Sequence, residues 1–462
     1  MSAMKTPLNL LDTSIPTRHI IWALAWPTIL EQILQVTVTY VDSAMVGSLG
    51  AEATAAISVT NSTIYLVNGW MNAIAIGFSV LMARNLGAGK RDRSQLVIRQ
   101  ALGSAVVYGL LLTFLFTIIA RYLPYWIGAE ATVRTLSTEY MTYIALGYMP
   151  NLMMITISTL FRCSGDSKTP LYLNGFNNLA NILLNLFFIF PIVKLGSFTL
   201  PALGLGVKGA AIATSISCSL TAILLLLSLF KGHNSIHITL QGNWRFDRQI
   251  QNQAMRLGIP VALERSTLSF GQIFFTKMVS TLGTTALAAH YLANTAESIT
   301  YLPPSGFSTA ATTLVAQSLG HEDKALAKRY ADSCTILGTL LMSFMGVILY
   351  VFAPQLMGFF TQDAQVILIG TKVLRIEAFA EPAFGLSMLV FGVMRGSGHT
   401  KGPFLISLAG MWLLRLPLAW ILLHTTNLGL QGVWIAMMSD LMLRGIICLF
   451  SYLKGSWLDS WK

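Results

Sequence analysis

Long apolar runs, parted by short polar segments, recur from one end of this chain to the other. They predict helices over 20–47, 54–83, 95–120, 135–160, 171–194, 205–230, 254–280, 287–317, 328–352, 364–394, 404–424 and 429–453. About 20 helical residues cross the ~30 Å hydrocarbon layer of a bilayer. Each run is long enough, and none shows the ten-residue alternation of a barrel strand. A second pattern lies over the first, because the chain repeats itself at an offset of 233 residues. Pro27 returns as Pro260, Glu31 as Glu264, Gly50 as Gly283 and Asn61 as Asn294. Arg162, Ser164, Gly165, Lys168 and Pro170 return as Arg395, Ser397, Gly398, Lys401 and Pro403. The register then slips by 10, so that Gly206-x-x-Gly209 returns as Gly429-x-x-Gly432. Duplicated apolar units are a mark of transporters built from two repeats around a central site. The pattern predicts an all-α membrane protein: twelve transmembrane helices in two six-helix lobes related by a pseudo-two-fold axis along the membrane normal.

Composition closes off other classes. The 462 residues are 54% hydrophobic and 11% charged, with mean hydropathy +0.64, whereas a soluble domain carries about 25% charged residues. A net charge of +11 would suit nucleic acid, but the basic residues are placed for a membrane. Twenty of the 30 Lys and Arg lie at or beside segments on one side of the predicted topology, and five lie on the other. The richer side is the cytoplasmic one. Both termini are therefore expected inside, in the cell inner (plasma) membrane, with the lipid bilayer as a partner and no nucleic acid. The N-terminus is polar up to Arg18-His19 and has no cleavage pattern of a signal peptide. Cys163, Cys218, Cys334 and Cys448 have no spacing of a disulfide framework or a metal site.

The predicted domains are an N-terminal lobe over 1–230, a linker over 231–253 and a C-terminal lobe over 254–462. The basic, amphipathic linker suits the inner membrane surface. Pro303-Pro304 should kink or break the eighth span, and Pro150 and Pro382 fall inside the fourth and tenth. Gly87-Ala-Gly89-Lys90-Arg91 is not a phosphate loop, because the first Gly and the following Ser/Thr are absent. No hydrolase or metal signature appears, so no enzyme activity and no cofactor are expected. Energy must then come from an ion gradient.

Polar residues inside spans carry the candidate chemistry. Asp42 lies near the outer end of the first span, in Tyr40-Val-Asp-Ser-Ala-Met-Val-Gly-Ser-Leu-Gly50. An ionised carboxylate at that depth costs several kcal/mol unless it is solvated, paired or protonated. Its repeat counterpart is Phe275, so the charge belongs to one lobe only. Pro27 followed by Val41-Asp42-x3-Val46-Gly47-x-Leu49-Gly50 resembles the first helix of the multidrug and toxic compound extrusion (MATE) transporters. Leu86-Gly-Ala-Gly-Lys90 resembles the family's basic turn after helix 2. Arg162-x-x-Gly-Asp-x-Lys-Thr-Pro170 resembles its turn between helices 4 and 5. The resemblance spans nearly the whole chain. It implies two six-helix lobes around a cleft, and export of organic, often cationic, compounds in exchange for H⁺ or Na⁺. In bacterial members, including the DinF-like branch, the Asp matching Asp42 couples the cation.

The chain departs from the family pattern on the fifth span. Relatives often carry Asn-x3-Asp there, and this chain has Asn181-x3-Asn185. The resemblance carries a cation-binding role to Asn181. At Asn185 an amide can ligate Na⁺ or hydrogen-bond Asp42, but it cannot release a proton. Asn177 and Asn178 add to an amide-rich helix whose polar groups can equally serve helix packing. A Glu found in some relatives eight residues after the helix-7 proline is Leu268 here. Glu31 and Glu264 are symmetry-related, and Arg265 adjoins one of them. They read as an inner-side gate or salt bridge, or as cavity residues that attract cations. Glu31 lies about 16 Å along the axis from Asp42 and cannot share its ion.

Glu297, Glu377 and Glu381 are further candidates, since Glu377 and Glu381 are like-charged at i,i+4 and need a partner or a proton. Arg375 is on another face from Glu377, and Asp440 and Arg444 can pair with each other. The expected function is therefore drug/H⁺ or drug/Na⁺ antiport by a monomer, with organic cations or other amphipathic drugs as cargo. Flipping of a lipid-linked saccharide, or a membrane enzyme, are the rival classes.

Overall fold

The computed structural model describes residues 10–195, 198–232, 236–239 and 241–459. The first repeat forms α1 (Thr17–Gly47), α2 (Ala51–Gly87), α3 (Arg91–Trp126), α4 (Ala131–Leu146), α5 (Tyr148–Cys163), α6 (Lys168–Ile189) and α7 (Val207–Lys231). A hairpin of β1 (Ile192–Leu195) and β2 (Phe198–Pro201) stands between α6 and α7. The second repeat forms α8 (Arg248–Ser280), α9 (Thr284–Glu297), α10 (Leu302–Gly320), α11 (Lys324–Phe360), α12 (Ala364–Ala378) and α13 (Glu381–Gly396). It ends with α14 (Lys401–Leu408), a π-helical stretch Ala409–Arg415, α15 (Leu416–Thr425) and α16 (Leu430–Leu453). With α4–α5, α9–α10, α12–α13 and α14–α15 each taken as one pass, these helices fall on the twelve predicted spans. Among the described residues, seven helices are long and apolar enough to cross a membrane by themselves, or nine spans with two bent pairs included. The other three passes, α6, α8 and α9–α10, carry the amides, charges and prolines discussed above.

The breaks have local causes. α4 meets α5 at 47°, and α12 meets α13 at 54°. The joints are Gly147 and the Phe379–Ala380 pair, two or three residues ahead of Pro150 and Pro382. Proline lacks an N–H and is tolerated in a first helical turn, so the chain breaks before it and restarts. Pro303 and Pro304 likewise open α10, after a gap at 298–301. The predicted fifth span instead stops early. Its helix ends at Ile189, short of residue 194, because Pro191 cannot donate to the ladder and β-branched residues follow it.

Two compact units emerge from the contacts. One contains Leu30–Leu86 and Lys90–Arg256; the other contains Leu10–Ile29, Gly87–Gly89 and the chain from Leu257 onward. In the first unit α3 packs on α4 and α5, and α7 packs on α5 and α6. Within it, part of the 231–253 segment is tied to α3. Arg99 donates to the Gln241 carbonyl at 3.0 Å, Gln100 to the Arg245 carbonyl at 2.7 Å, and Ser104 pairs with Gln251. Residues 233–235 and 240 of that segment, with Lys5 and Lys462, lie outside the described residues. In the second unit α10 packs on α11 and α13, and α13 packs on α16. This unit also holds residues 10–29. Tyr330 Oη donates to the Leu10 carbonyl at 2.7 Å, and the rings of Trp22 and Phe307 lie 5.8 Å apart.

Two glycines show how closely the repeats agree. Gly206 precedes α7 at φ 58°, ψ −133°, and Gly429 precedes α16 at φ 55°, ψ −129°. A side chain is strained there, so the recurrence of glycine across the register slip is a backbone requirement. Gly209, three residues later, lies against α6, where an added Cβ would meet the Phe188 carbonyl oxygen at 2.4 Å. Gly209→Ala is expected to cost about 1–3 kcal/mol by overpacking. A lowered thermal midpoint of the purified protein in detergent checks it, and an unchanged midpoint contradicts the close packing.

Candidate functional site

In the first unit α1 and α6 bring an acid and two amides together. Asn181 and Asn185 are four residues apart, so they share one face of α6, and both are buried. Asn185 Nδ2 donates to Asp42 Oδ1 at 2.6 Å and to Asn181 Oδ1 at 3.1 Å. Asn181 in turn contacts Thr214 Oγ1 on α7 at 3.1 Å. The Asn181 amide has two usable orientations. Turned the other way, its nitrogen donates to Asp42 Oδ1 and Oδ2 at 3.0 and 3.2 Å, while its oxygen accepts from Thr214. Asp42 is half-buried, and none of the described ion pairs involves it. Asn177 accepts from Thr221 at 3.4 Å, Asn178 is half-buried, and Tyr40 is exposed two residues before Asp42.

Glu31 and Glu264 are buried, and each meets an arginine that the sequence reading did not pair with it. Arg162 at the end of α5 binds Glu31. Arg395 at the end of α13 binds both oxygens of Glu264 at 2.8 and 3.0 Å. Both pairs span 131 residues, so they are the same interaction made twice. Asn174 also donates to Glu31 at 2.7 Å. Arg265, adjacent to Glu264 in sequence, is exposed. Breaking a buried ion pair by removing one partner costs about 3–5 kcal/mol, whereas removing both costs far less. Arg395→Leu is therefore expected to destabilise the protein by about 3 kcal/mol, and Glu264→Leu/Arg395→Leu to recover most of that loss. Chemical denaturation in detergent reads the difference, and a double variant no better than the single one would count against an uncompensated charge.

The second unit has no acid at the Asp42 position. Phe275 is fully buried there in the main apolar cluster of that unit. Its acids lie elsewhere. Glu297, Glu377 and Glu381 are all buried. Glu377 closes α12 and Glu381 opens α13, so the expected i,i+4 pair straddles a helix break. Glu381 accepts from Thr300 at 2.9 Å, and among the described residues nothing hydrogen-bonds the Oε2 atoms of Glu377 and Glu381. Arg415 interacts electrostatically with Glu297 and Glu377 but spends its hydrogen bond on Asp440 at 2.8 Å. Arg444 donates to the other Asp440 oxygen at 2.6 Å and shares the first with Arg415 at 2.5 Å. The π-helical stretch makes this junction. At Gly410 a Cβ would meet Asp440 Oδ1 at 2.1 Å, so the acid sits against bare backbone while Arg415 reaches it. Arg375 instead covers the Tyr350 ring.

Comparison with known proteins reproduces the duplication. The sequence model of the MatE family matches residues 27–187 and 260–421, well over half of the chain, and its two matches begin at the paired prolines Pro27 and Pro260. The chain belongs to the MATE family. A probable multidrug resistance protein NorM of Thermotoga maritima is 29% identical over 437 residues, covering 94% of this chain and 92% of that protein. A probable multidrug resistance protein YoeA of Bacillus subtilis is 26% identical, covering 93% and 92%. The fold is that of solved MATE structures. A MOP superfamily transporter from Pyrococcus furiosus superposes with TM-score 0.90 at 22% identity, over 98% of this chain and 99% of that one. An outward-facing multidrug resistance MATE transporter gives TM-score 0.90 over 98% and 99%. This MATE protein is thus a multi-pass membrane transporter of the multidrug efflux family and not an enzyme.

Proposed function

We propose that this MATE transporter exports organic cations in exchange for protons, with Asp42 as the group that binds and releases the proton. The contact that supports this most is Asn185 Nδ2 on Asp42 Oδ1 at 2.6 Å. It presents an N–H to the carboxylate, where a Na⁺ ligand would present oxygen. The Asn181 amide then reads the proton. An ionised Asp42 takes N–H donors from both amides; a protonated Asp42 donates to Asn181 Oδ1, and the amide nitrogen turns to Thr214. Tyr40, Asn177 and Asn178 are placed on the approach to this site.

The remaining roles follow from charge. Among the described residues, the buried acids Glu297, Glu377, Glu381 and Asp440 outnumber the buried Arg415 and Arg444 beside them, which leaves a local excess of negative charge. That excess draws cations or holds protons. The pairs Glu31–Arg162 and Glu264–Arg395 act as matching inner-side ties, with Arg265 beside the second in sequence. Residues 1–230 and 254–462 are taken as the two lobes and 231–253 as the linker. Both termini are placed in the cytoplasm and the working unit is a monomer in the plasma membrane. Ethidium movement in proteoliposomes tests the reading. A pH gradient is expected to drive it, and a Na⁺ gradient at equal pH is not. Na⁺-driven movement at the same rate would replace the coupling ion. No movement under either gradient would remove cation export and leave flipping of a lipid-linked saccharide as the reading to test.

A further inference from the structure

The second unit contains a groove of about 620 Å³ between α8 and α9 that none of the roles above uses. Gln272 and Thr276 line it from α8, and Thr284, His290, Tyr291 and Asn294 from α9. Its volume lies within the range of sites for drug-sized molecules, about 300–1,000 Å³. Its walls are mainly apolar, with Leu287 and Ala288 among them; they add amides, hydroxyls and an aromatic ring, and no carboxylate lines the groove. The nearest acid along α9, Glu297, is buried one turn beyond Asn294.

The floor of the groove is fixed from behind. His290 is 3% exposed, and the fully buried Trp434 donates from Nε1 to His290 Nδ1 at 3.1 Å. A nitrogen that accepts carries no proton, so in this arrangement the imidazole is neutral, with the Asn294 amide nitrogen 3.1 Å from each ring nitrogen. Asn294 donates to the His290 carbonyl at 3.0 Å and lies beside the ring. Behind this floor lies Arg415, whose guanidinium is already paired with Asp440. The Phe275 ring lies 5.9 Å from His290, and the Arg415 guanidinium lies over Phe275 at 5.6 Å. A cation bound here would touch no carboxylate, because the lining carries none and Asp440 is already held by Arg415 and Arg444. The first repeat offers no equivalent, because the positions of His290 and Tyr291 are Ile57 and Ser58 there.

We propose that the groove between α8 and α9 is a binding subsite for uncharged aromatic compounds that carry hydrogen-bonding groups, built by Gln272, Thr276, Tyr291 and Asn294 over a locked neutral His290. Binding there does not depend on the export reading; its use in transport does. The cargo range then has two parts: cations at the acid-bearing sites, and neutral aromatics in the groove.

The test uses the purified full chain with two fluorescent probes, uncharged dansylamide and the permanent cation ethidium. Wild type is expected to bind both saturably. Gln272→Leu/Asn294→Leu is expected to weaken dansylamide at least tenfold and to leave ethidium within twofold. Ala288→Trp, at an exposed position on the rim, fills the groove without touching its floor. It should abolish dansylamide binding, and it gives the same comparison if the double variant fails to fold. Asn61→Leu, at the first-repeat counterpart of Asn294, should change neither probe. Three results would overturn the subsite: no saturable dansylamide binding to wild type, undiminished binding to Ala288→Trp, or an equal loss of both probes. Gradient-driven ethidium movement by the same variants reports separately on the export reading.

Discussion

Asp42→Asn in proteoliposomes is expected to bind an organic cation nearly as well as wild type and to lose all response to a pH gradient. The substitution is close to isosteric, and an asparagine oxygen still accepts the Asn185 N–H, so the contact between α1 and α6 survives. The ability to take up and release a proton does not survive. Each proton that returns down a gradient of one pH unit supplies about 1.4 kcal/mol, enough for roughly a tenfold accumulation of cargo. Wild type should therefore hold about a tenfold ethidium gradient per proton exchanged, and the variant should hold none. A variant that retains wild-type accumulation at equal pH difference removes Asp42 from coupling. Equal loss of ethidium binding and of gradient response would instead make Asp42 a cargo contact.

The largest effect on stability is expected at Asp440. Its side chain is fully buried, and it receives hydrogen bonds from both Arg415 and Arg444. Asp440→Ala leaves two buried guanidiniums without their shared acid. Loss of one partner from a buried pair already costs about 3–5 kcal/mol, which is a large part of the stability of a typical domain. The variant should reach the membrane in much reduced amount and extract as aggregate on size-exclusion chromatography. Asp440→Asn keeps the shape and one acceptor, so it should be intermediate. Wild-type yield and melting for Asp440→Ala would show that the cluster is not holding α16 to the π-helical stretch.

Much of the fold was legible because long apolar runs and repeated glycines act through local physics. Gly206 and Gly429 show this best: each had to be a glycine, and both mark the start of a helix. Breaks were legible in number but not in position, since a proline marks the restart of a helix and the joint lies ahead of it, at Gly147 and at Phe379–Ala380. In the candidate site, Asp42 stood out as an acid in an apolar run. Its contact with Asn185 is set by how α6 faces α1, which no local pattern encodes. The arginine partners of Glu31 and Glu264 escaped notice because adjacency drew attention to Arg265. The signal that would have found them was present: both glutamates and both arginines are repeated, at the same spacing of 131 residues. His290 and Trp434 left no such trace, as a lone histidine in an apolar helix reads as core until its neighbours are placed.

The hydrogen bond from Tyr330 to the carbonyl of Leu10 sets an order of events during synthesis. Residues 10–29 leave the ribosome well before the surface that receives them, which includes residues some 300 positions later. At about 5–20 residues per second, that separation is a wait of roughly 15–60 s. The start of the first helix therefore spends that interval without its final neighbours, and it can dock only after Phe307 and Tyr330 have been made. A nascent chain stalled before residue 330 should expose this segment to protease or thiol labelling, and release of the full-length chain should protect it.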